Sequence, residues 1–159
     1  MTKYQSPTLE VTLDLPDGWL GVENKEFFTG QLGIAPEQAE STALLLVKIE
    51  GEVVTKYISV THDMEIYADV PAYEEALAGN KQTLTEAGCQ ILSSRTLATA
   101  AGNRVDHVMV QAGEILMSQY YVHINELLLC FATQVAKAGD PDDNVMANIV
   151  YTMSLTPTA

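Results

Sequence analysis

A stretch near the start of the chain alternates apolar and polar residues and then stops at a proline. Every second position holds an aliphatic side chain: Leu9, Val11, Leu13 and Leu15. This two-residue period is typical of a strand that buries one face. Pro16 ends the alternation, Asp17-Gly18 favours a turn, and Trp19, the only tryptophan, follows directly. The pattern predicts a half-buried strand over residues 9–15 and a largely buried Trp19 that anchors the end of that strand to the core.

The next part of the chain indicates a loop and then a hairpin. Residues 20–40 hold several glycines around the apolar pair Phe27-Phe28, which predicts a loop. Residues 42–50 and 52–61 flank Gly51 and predict the two arms of a hairpin. The first arm is apolar at consecutive positions, so we expect both of its faces to be covered.

The second half of the chain predicts two helices and four strands. Residues 71–87 predict a helix with Pro71 in its first turn and Gly88 after its end. Four strands follow with short connections: residues 89–98, 104–111, 115–124 and 127–136. Connections this short indicate an antiparallel meander. A last helix begins after Asp140, which is a good cap, and has Pro141 in its first position.

Together these elements predict one domain over residues 1–159 with an α+β fold. The sheet is antiparallel, has about six or seven strands, and carries helices packed on it. This order of elements, with a first strand that closes on Leu15-Pro16-Asp17-Gly18-Trp19, resembles the DcrB/PsbP/Mog1-like superfamily across nearly the whole chain. The resemblance implies a Mog1/PsbP-like fold.

The resemblance also implies a class of function. Leaderless bacterial proteins of this length in the superfamily include the Eag-type chaperones of type VI secretion, which are cytoplasmic dimers whose sheet faces shelter apolar effector segments. We therefore expect a non-enzymatic binding module, a chaperone or adaptor that shelters an apolar segment of a secreted effector. The alternative is a small-ligand carrier or small enzyme with a pocket beside the sheet, near His62, His107 and His123.

The composition excludes several partners. The chain has 21 acidic and 8 basic residues, a net charge of −13, and its bases are scattered along the sequence. Nucleic acids and anionic membrane surfaces both require a basic footprint, so we expect neither as a partner. No apolar run approaches the roughly 18 residues of a membrane span, and the first residues lack the apolar core of a signal peptide. These features favour the cytoplasm, although a chain trimmed of its leader would look the same.

The sequence contains no strong motif for catalysis or metal binding. The two cysteines, Cys89 and Cys130, are too few for a disulfide framework and are expected to be small buried apolar residues. His107 and His123 lie in neighbouring predicted strands, where they could be cross-strand neighbours, but no zinc-ligand spacing or nucleophile elbow is present. We expect no catalytic residue, no metal and no cofactor.

The meander is apolar on both faces, and two helices cannot easily cover both faces of such a sheet. The remaining surface could be covered by the early loop, by a second copy of the chain in a homodimer, or by a partner segment; a fully packed two-sided core is equally compatible. Seven apolar residues are the candidates for partner binding on this surface: Met109, Met117, Tyr121, Leu129, Phe131, Phe27 and Phe28.

Overall fold

The computed structural model describes residues 1–63, 65–137 and 139–156. In chain order the elements are β1 (Thr2–Ser6), β2 (Val11–Leu15), β3 (Trp19–Val22), α1 (Lys25–Gly30), α2 (Pro36–Ser41), β4 (Thr42–Glu50), β5 (Val53–His62), α3 (Val70–Glu86), β6 (Gln90–Ala98), β7 (Arg104–Ala112), β8 (Ile115–Ile124), β9 (Leu127–Val135), α4 (Pro141–Tyr151) and β10 (Ser154–Leu155). Asp69 and Asp140 cap α3 and α4 through their side chains, as the sequence predicted for Asp140.

The strands form two sheets. The large sheet has seven strands in the order β3-β4-β5-β9-β8-β7-β6, and the small sheet has the order β1-β2-β10. Every neighbouring pair in both sheets is antiparallel. The predicted α+β fold with an antiparallel sheet of six or seven strands is therefore confirmed, as are the hairpin of β4 and β5 and the meander of β6 to β9.

One face of the large sheet is covered by α4 and the small sheet. Val11, Leu13 and Leu15 of β2 point into the same buried cluster as Met146 and Ile149 of α4. Because the small sheet supplies much of this cover, the chain does not depend on α4 alone, which is only 11 residues long. The sequence predicted β2 but neither β1 nor β10.

The opposite face is covered by α1 and α2 at one end and by α3 at the other. Phe28 of α1 is fully buried against Leu45 and Val47 of β4. Tyr73 of α3 is likewise buried, over β7 and β8. The predicted loop over residues 20–40 thus contains a strand and two short helices, and it provides cover for the sheet, which was one of the expected alternatives.

A tyrosine and a glycine hold the small sheet against the edge of the large one. The ring of Tyr4 lies on Gly21 of β3, where an added Cβ would be 2.5 Å from a ring atom. The Tyr4 hydroxyl donates to Glu23, and Ser6 Oγ donates to the other carboxylate oxygen of Glu23 at 2.8 Å. This contact requires the absence of a side chain at Gly21.

The predicted assignment of residues to sheet faces is wrong in β8. Tyr120 lies opposite His107 and Phe131 and faces α4, whereas Tyr121 faces α3. The prediction had placed Tyr121 on the same face as Phe131. Both alternating sets of β8 are apolar, so the sequence pattern by itself did not distinguish the two phases, and a shift of one residue exchanges the faces.

Candidate functional site

The seven apolar residues predicted to bind a partner do not form one exposed surface. Five of them are buried within the single chain: Phe28, Met109, Tyr121, Leu129 and Phe131. Met117 and Phe27 are half-buried. Leu129 and Phe131 belong to the core under α4, whereas Tyr121 belongs to the cluster under α3. The expectation that these residues share one partner-binding face is therefore wrong, because the small sheet and all four helices cover them.

The large sheet is interrupted between β5 and β9. These strands pair only from Ser59, opposite Ala132, to His62, opposite Leu129. The first part of β5, residues 53–58, and the last part of β9, residues 133–135, extend beyond this ladder. On its other edge β5 is paired with β4 from Val53 to Thr61, with two irregularities in the register. The two strands thus diverge and leave a gap in the sheet.

A cleft of about 570 Å³ occupies this gap. Its lining comes from both faces of the sheet: Trp19, Gln38, residues 55–59 of β5, Ile115, Met117, residues 132–134 of β9, and Asp142. We call it the central cleft. Its volume lies within the range of about 300–1,000 Å³ that is common for ligand sites.

The central cleft lies between the two groups of helices that cover one face. A lateral row of paired residues crosses this face: Leu45, Ser59, Ala132, Gln119 and Val108. Leu45 is buried under α1 and α2, and Val108 is buried under α3. The middle of the row is small or polar, so it forms a trough between the two apolar clusters.

The polar contacts at the cleft are few and lie at its borders. Thr133 Oγ1 donates to the carbonyl oxygen of Tyr57 at 3.2 Å, and Lys56 Nζ pairs with Asp142 at the start of α4. Tyr57 is 46% exposed and Ile115 is 44% exposed. The cleft therefore offers strand backbone in its plane and exposed apolar side chains at its mouth, which is a suitable surface for an extended peptide.

A chain of hydrogen bonds, buried from His107 onward, connects the large sheet to α4. The guanidinium of Arg95 donates from Nε to Nδ1 of His107 at 3.4 Å. Since a guanidinium can only donate, Nδ1 is the acceptor and the ring proton is on Nε2. His107 Nε2 then donates to Ser118 Oγ at 2.8 Å, and Ser118 donates to Asp143 Oδ1 at 2.5 Å. Each of the four side chains in this hydrogen-bond chain thus has a hydrogen-bond partner.

This direction of donation decides what the His-Ser-Asp group can do. The hydroxyl proton of Ser118 is given to Asp143, so His107 does not accept it as a general base would. Burial lowers the pKa of His107, which the nearby Asp143 only partly opposes. A pocket of about 380 Å³ lies beside His107 and Asp143. The arrangement is that of a structural connection between β8 and α4.

The three histidines do not share one site. His107 faces α4, whereas His123 lies on the other face, where it stacks on Tyr73 with ring centroids 5.2 Å apart and donates to the carbonyl oxygen of Tyr67. His62 lies in β5, opposite Leu129. The expectation that His107 and His123 are cross-strand neighbours is thus wrong, as is the expected common pocket. Within residues 1–63, 65–137 and 139–156, no three or more His, Cys, Asp or Glu side chains are placed to hold a metal ion.

Sequence reasoning missed the residues that shape the central cleft. Tyr57 and Ser59 were predicted only as part of the second arm of a hairpin, and the length of the ladder between β5 and β9 has no local signal. Trp19, by contrast, was predicted to be largely buried and is 8% exposed, which confirms the prediction. Across the described part of the chain, no helix is long and apolar enough to cross a membrane.

Comparison with known proteins was informative only at the level of solved structures. No protein-family model and no curated protein sequence matches the chain. The solution structure of cyanobacterial PsbP (CyanoP) from Synechocystis sp. PCC 6803 matches with a TM-score of 0.62 and 14% identity over 97% of this chain and 91% of that one. A crystal structure from Bacteroides thetaiotaomicron VPI-5482 matches with a TM-score of 0.48 and 12% identity over 96% of this chain and 47% of that one. The likeness to CyanoP, together with the α+β architecture, shows that this chain has a PsbP-like fold.

Proposed function

We propose that this protein is a non-enzymatic binding module that holds an extended, apolar segment of a partner protein in the central cleft. The interrupted ladder between β5 and β9 carries this proposal. A strand that ends its pairing early leaves backbone donors and acceptors at an edge, and an extended peptide can pair with such an edge while its side chains enter adjacent pockets.

The side chains around the cleft support an apolar occupant. Tyr57 and Ile115 are large side chains that line the cleft and keep exposed surface. Met117, half-buried in the cleft wall, is an adaptable side chain that packs against varied partners. In an isolated chain these groups face water, and an apolar segment in the cleft would remove them from it.

The type of chaperone and its location in the cell are inferred from the family resemblance and belong to the same proposal. A cytoplasmic chaperone of the Eag type, which shelters an apolar segment of a type VI secretion effector, fits a module of this kind. The free cysteines Cys89 and Cys130 are compatible with a reducing compartment. Fractionation of the native host with an antibody against the protein would test the location; recovery outside the cytoplasm would contradict it.

A homodimer is part of the same proposal. A second copy would bury exposed apolar side chains such as Leu92 and Leu97 of the edge strand β6, which lie outside the central cleft. Light scattering at micromolar concentration is expected to give about twice the mass of 17.3 kDa. A monomer at all concentrations would contradict the dimer but leave the central cleft as the binding site.

Photo-crosslinking in the native host tests the binding function. A photoreactive phenylalanine analogue at position 57 lies at the mouth of the cleft, and the same analogue at Tyr151 of α4 is the matched control, because Tyr151 is 57% exposed and lies outside the lining. We expect an adduct from position 57 only, with an apolar segment of one protein mapped by mass spectrometry. Equal labelling from both positions, or no adduct from position 57, would contradict the proposal.

The alternative of a small-ligand carrier or small enzyme now rests on the pocket beside His107. Native mass spectrometry of the purified protein distinguishes the two functions. A stoichiometric small molecule that is lost in an Asn144→Trp variant, which would fill this pocket, would favour the carrier. A ligand-free mass that the variant leaves unchanged would favour the binding module.

A further inference from the structure

The pocket of about 380 Å³ beside His107 is lined by two residues of opposite charge, Arg95 of β6 and Asp143 of α4. Arg95 lies on this face of the large sheet because its guanidinium donates to His107. Asp143 is in the first turn of α4, which packs over the same face. Tyr120 and Asn144 also line this cavity, and we call it the α4 pocket.

Arg95 carries a positive charge that no carboxylate neutralises directly. Its Nε donates to Nδ1 of His107 at 3.4 Å. Among the residues that the structure describes, no carboxylate oxygen lies within 4.0 Å of its guanidinium nitrogens, and Nη1 and Nη2 donate no hydrogen bond. This includes Asp143, so the two charges of the α4 pocket are not an ion pair. Nη1 and Nη2 are therefore available to a ligand.

Asp143 has one carboxylate oxygen without a hydrogen bond. Oδ1 accepts from Ser118 at 2.5 Å, and the residue is buried. Oδ2 accepts no hydrogen bond from the described part of the chain. Every enclosed side-chain oxygen or nitrogen of the described residues has a partner, so Oδ2 is not enclosed and borders the cavity that Asp143 lines. A buried residue thus presents a free acceptor to the α4 pocket.

The hydroxyl of Tyr120 lies close to both charges. Its ring stacks on His107 with the centroids 4.2 Å apart, which fixes its position in the wall of the pocket. Burial raises the pKa of Tyr120 to about 12, and the neighbouring Asp143 and Arg95 act on this pKa in opposite directions. A cation, a neutral hydroxyl and a carboxylate therefore converge on one cavity.

We propose that the α4 pocket binds a small zwitterion of the α-amino acid type. The carboxylate of the ligand accepts from Nη1 and Nη2 of Arg95, and its ammonium group donates to Oδ2 of Asp143. The two protein charges select a zwitterion, because Asp143 repels a simple anion and Arg95 repels a simple cation. The volume suits a compact ligand, since it lies near the lower end of the range of common sites. This function goes beyond the binding of a partner segment, because the α4 pocket and the central cleft share no lining residue.

Titration of the isotope-labelled protein with L-alanine, followed by NMR, tests this site. Acetate and methylammonium are the matched probes, because each carries only one of the two charges. We expect saturable shifts at the backbone amides of Arg95 and Asn144, with a dissociation constant on the order of 1 mM, as suits a few charge-assisted contacts in an open pocket. Each single-charge probe should bind about tenfold more weakly. A ligand this weak is lost on desalting, so a titration is needed to detect it. No saturable shift with L-alanine, or acetate or methylammonium binding as tightly, would overturn the proposal.

Two matched pairs of variants locate the ligand. Arg95→Met should weaken the binding of L-alanine about tenfold, whereas Lys81→Met removes the same charge from α3, on the opposite face of the sheet, and should change binding less than about twofold. Asn144→Trp fills the pocket and should abolish binding, whereas Asn148→Trp, one turn later in α4 and outside the lining, should preserve it. Equal effects within either pair would overturn the proposal. Photo-crosslinking from position 57 reports on the central cleft alone, so the two proposals can fail separately.

Discussion

The hydroxyl of Ser118, in the middle of β8, donates a hydrogen bond of 2.5 Å to Oδ1 of Asp143 in the first turn of α4. Both residues are buried. His107 completes the connection by donating to the same hydroxyl. The start of α4 is thus attached to the large sheet by a polar contact inside an otherwise apolar interface.

Asp143→Asn and Ser118→Ala are each expected to lower the free energy of unfolding by about 1–3 kcal/mol, because each leaves a buried polar group without its partner. Asp142→Asn is the matched control. It removes the same helix-dipole interaction and a partly exposed surface ion pair with Lys56, so its cost is expected to be below about 1 kcal/mol. Urea unfolding of the three variants measures the difference; equal losses would contradict a structural role for Asp143.

The pH dependence of stability is expected to report on His107. Its pKa is lowered from 6.5 in the folded state, chiefly by burial. Below pH 6.5 the unfolded state therefore binds a proton that the native ring does not, so stability falls as pH falls. His107→Gln removes this contribution, which is at most about 1.4 kcal/mol per pH unit. Unfolding of both proteins between about pH 7.5 and pH 5.5 should show a shallower decline for the variant.

Trp19 is expected to contribute to stability rather than to act as an exposed anchor. Trp19→Ala removes a buried ring and should cost about 3–5 kcal/mol, a large part of the roughly 5–15 kcal/mol typical of a domain. Trp19→Phe, which keeps an aromatic ring, should lose less. Wild-type fluorescence should be blue-shifted and weakly quenched. Red-shifted emission, together with an unchanged Tm in Trp19→Ala, would show that the ring is exposed.

Two glycines are expected to respond to alanine in opposite ways. Gly21→Ala places a Cβ within 2.5 Å of the Tyr4 ring and should lower the Tm by displacing β1 from β3. Gly79→Ala in the interior of α3 meets nothing within 4 Å and should stabilise the protein by about 0.5–1 kcal/mol. Calorimetric melting of both variants distinguishes these effects; a stabilised Gly21→Ala variant would show that the contact with Tyr4 is loose.

The two cysteines are expected to differ in reactivity. Burial raises the pKa of the Cys130 thiol to about 12, so almost none of it is thiolate at about pH 8, the form that reacts. Cys89 lies in the connection between α3 and β6, outside the strands of the sheet. A thiol reagent should therefore label Cys89 first, and a Cys89→Ser variant should react only slowly in the native state. Equal labelling rates would show that β9 opens readily.

Local sequence patterns predicted most of the secondary structure. The apolar run of β4 indicated a strand covered on both faces, and Asp140 with Pro141 located the start of α4. Trp19 was also assigned correctly. These features depend on interactions between residues that are close in sequence, namely caps, turns and the alternation of a strand, so the chain by itself contains the information.

The candidate site depended on contacts between distant segments. The short ladder that opens the central cleft arises where β5 and β9, far apart in sequence, meet and diverge. The phase of β8, which puts Tyr120 under α4 and Tyr121 under α3, was ambiguous because both sets are apolar. Neither feature has a local signal, since pairing length and register are set by the packing of the whole sheet.

The sequence alone predicts an α+β protein with an antiparallel sheet, a buried Trp19 and an acidic surface. Strand and helix periodicity is a local property of the sequence, and net charge is a simple sum over its residues. The tertiary structure decided which surfaces remain available. It buried Leu129 and Phe131, separated His107 from His123 across the sheet, and linked His107 through Ser118 to Asp143 of α4. These outcomes depend on which helices and which sheet pack on each face of the large sheet, and only the folded chain brings those layers together.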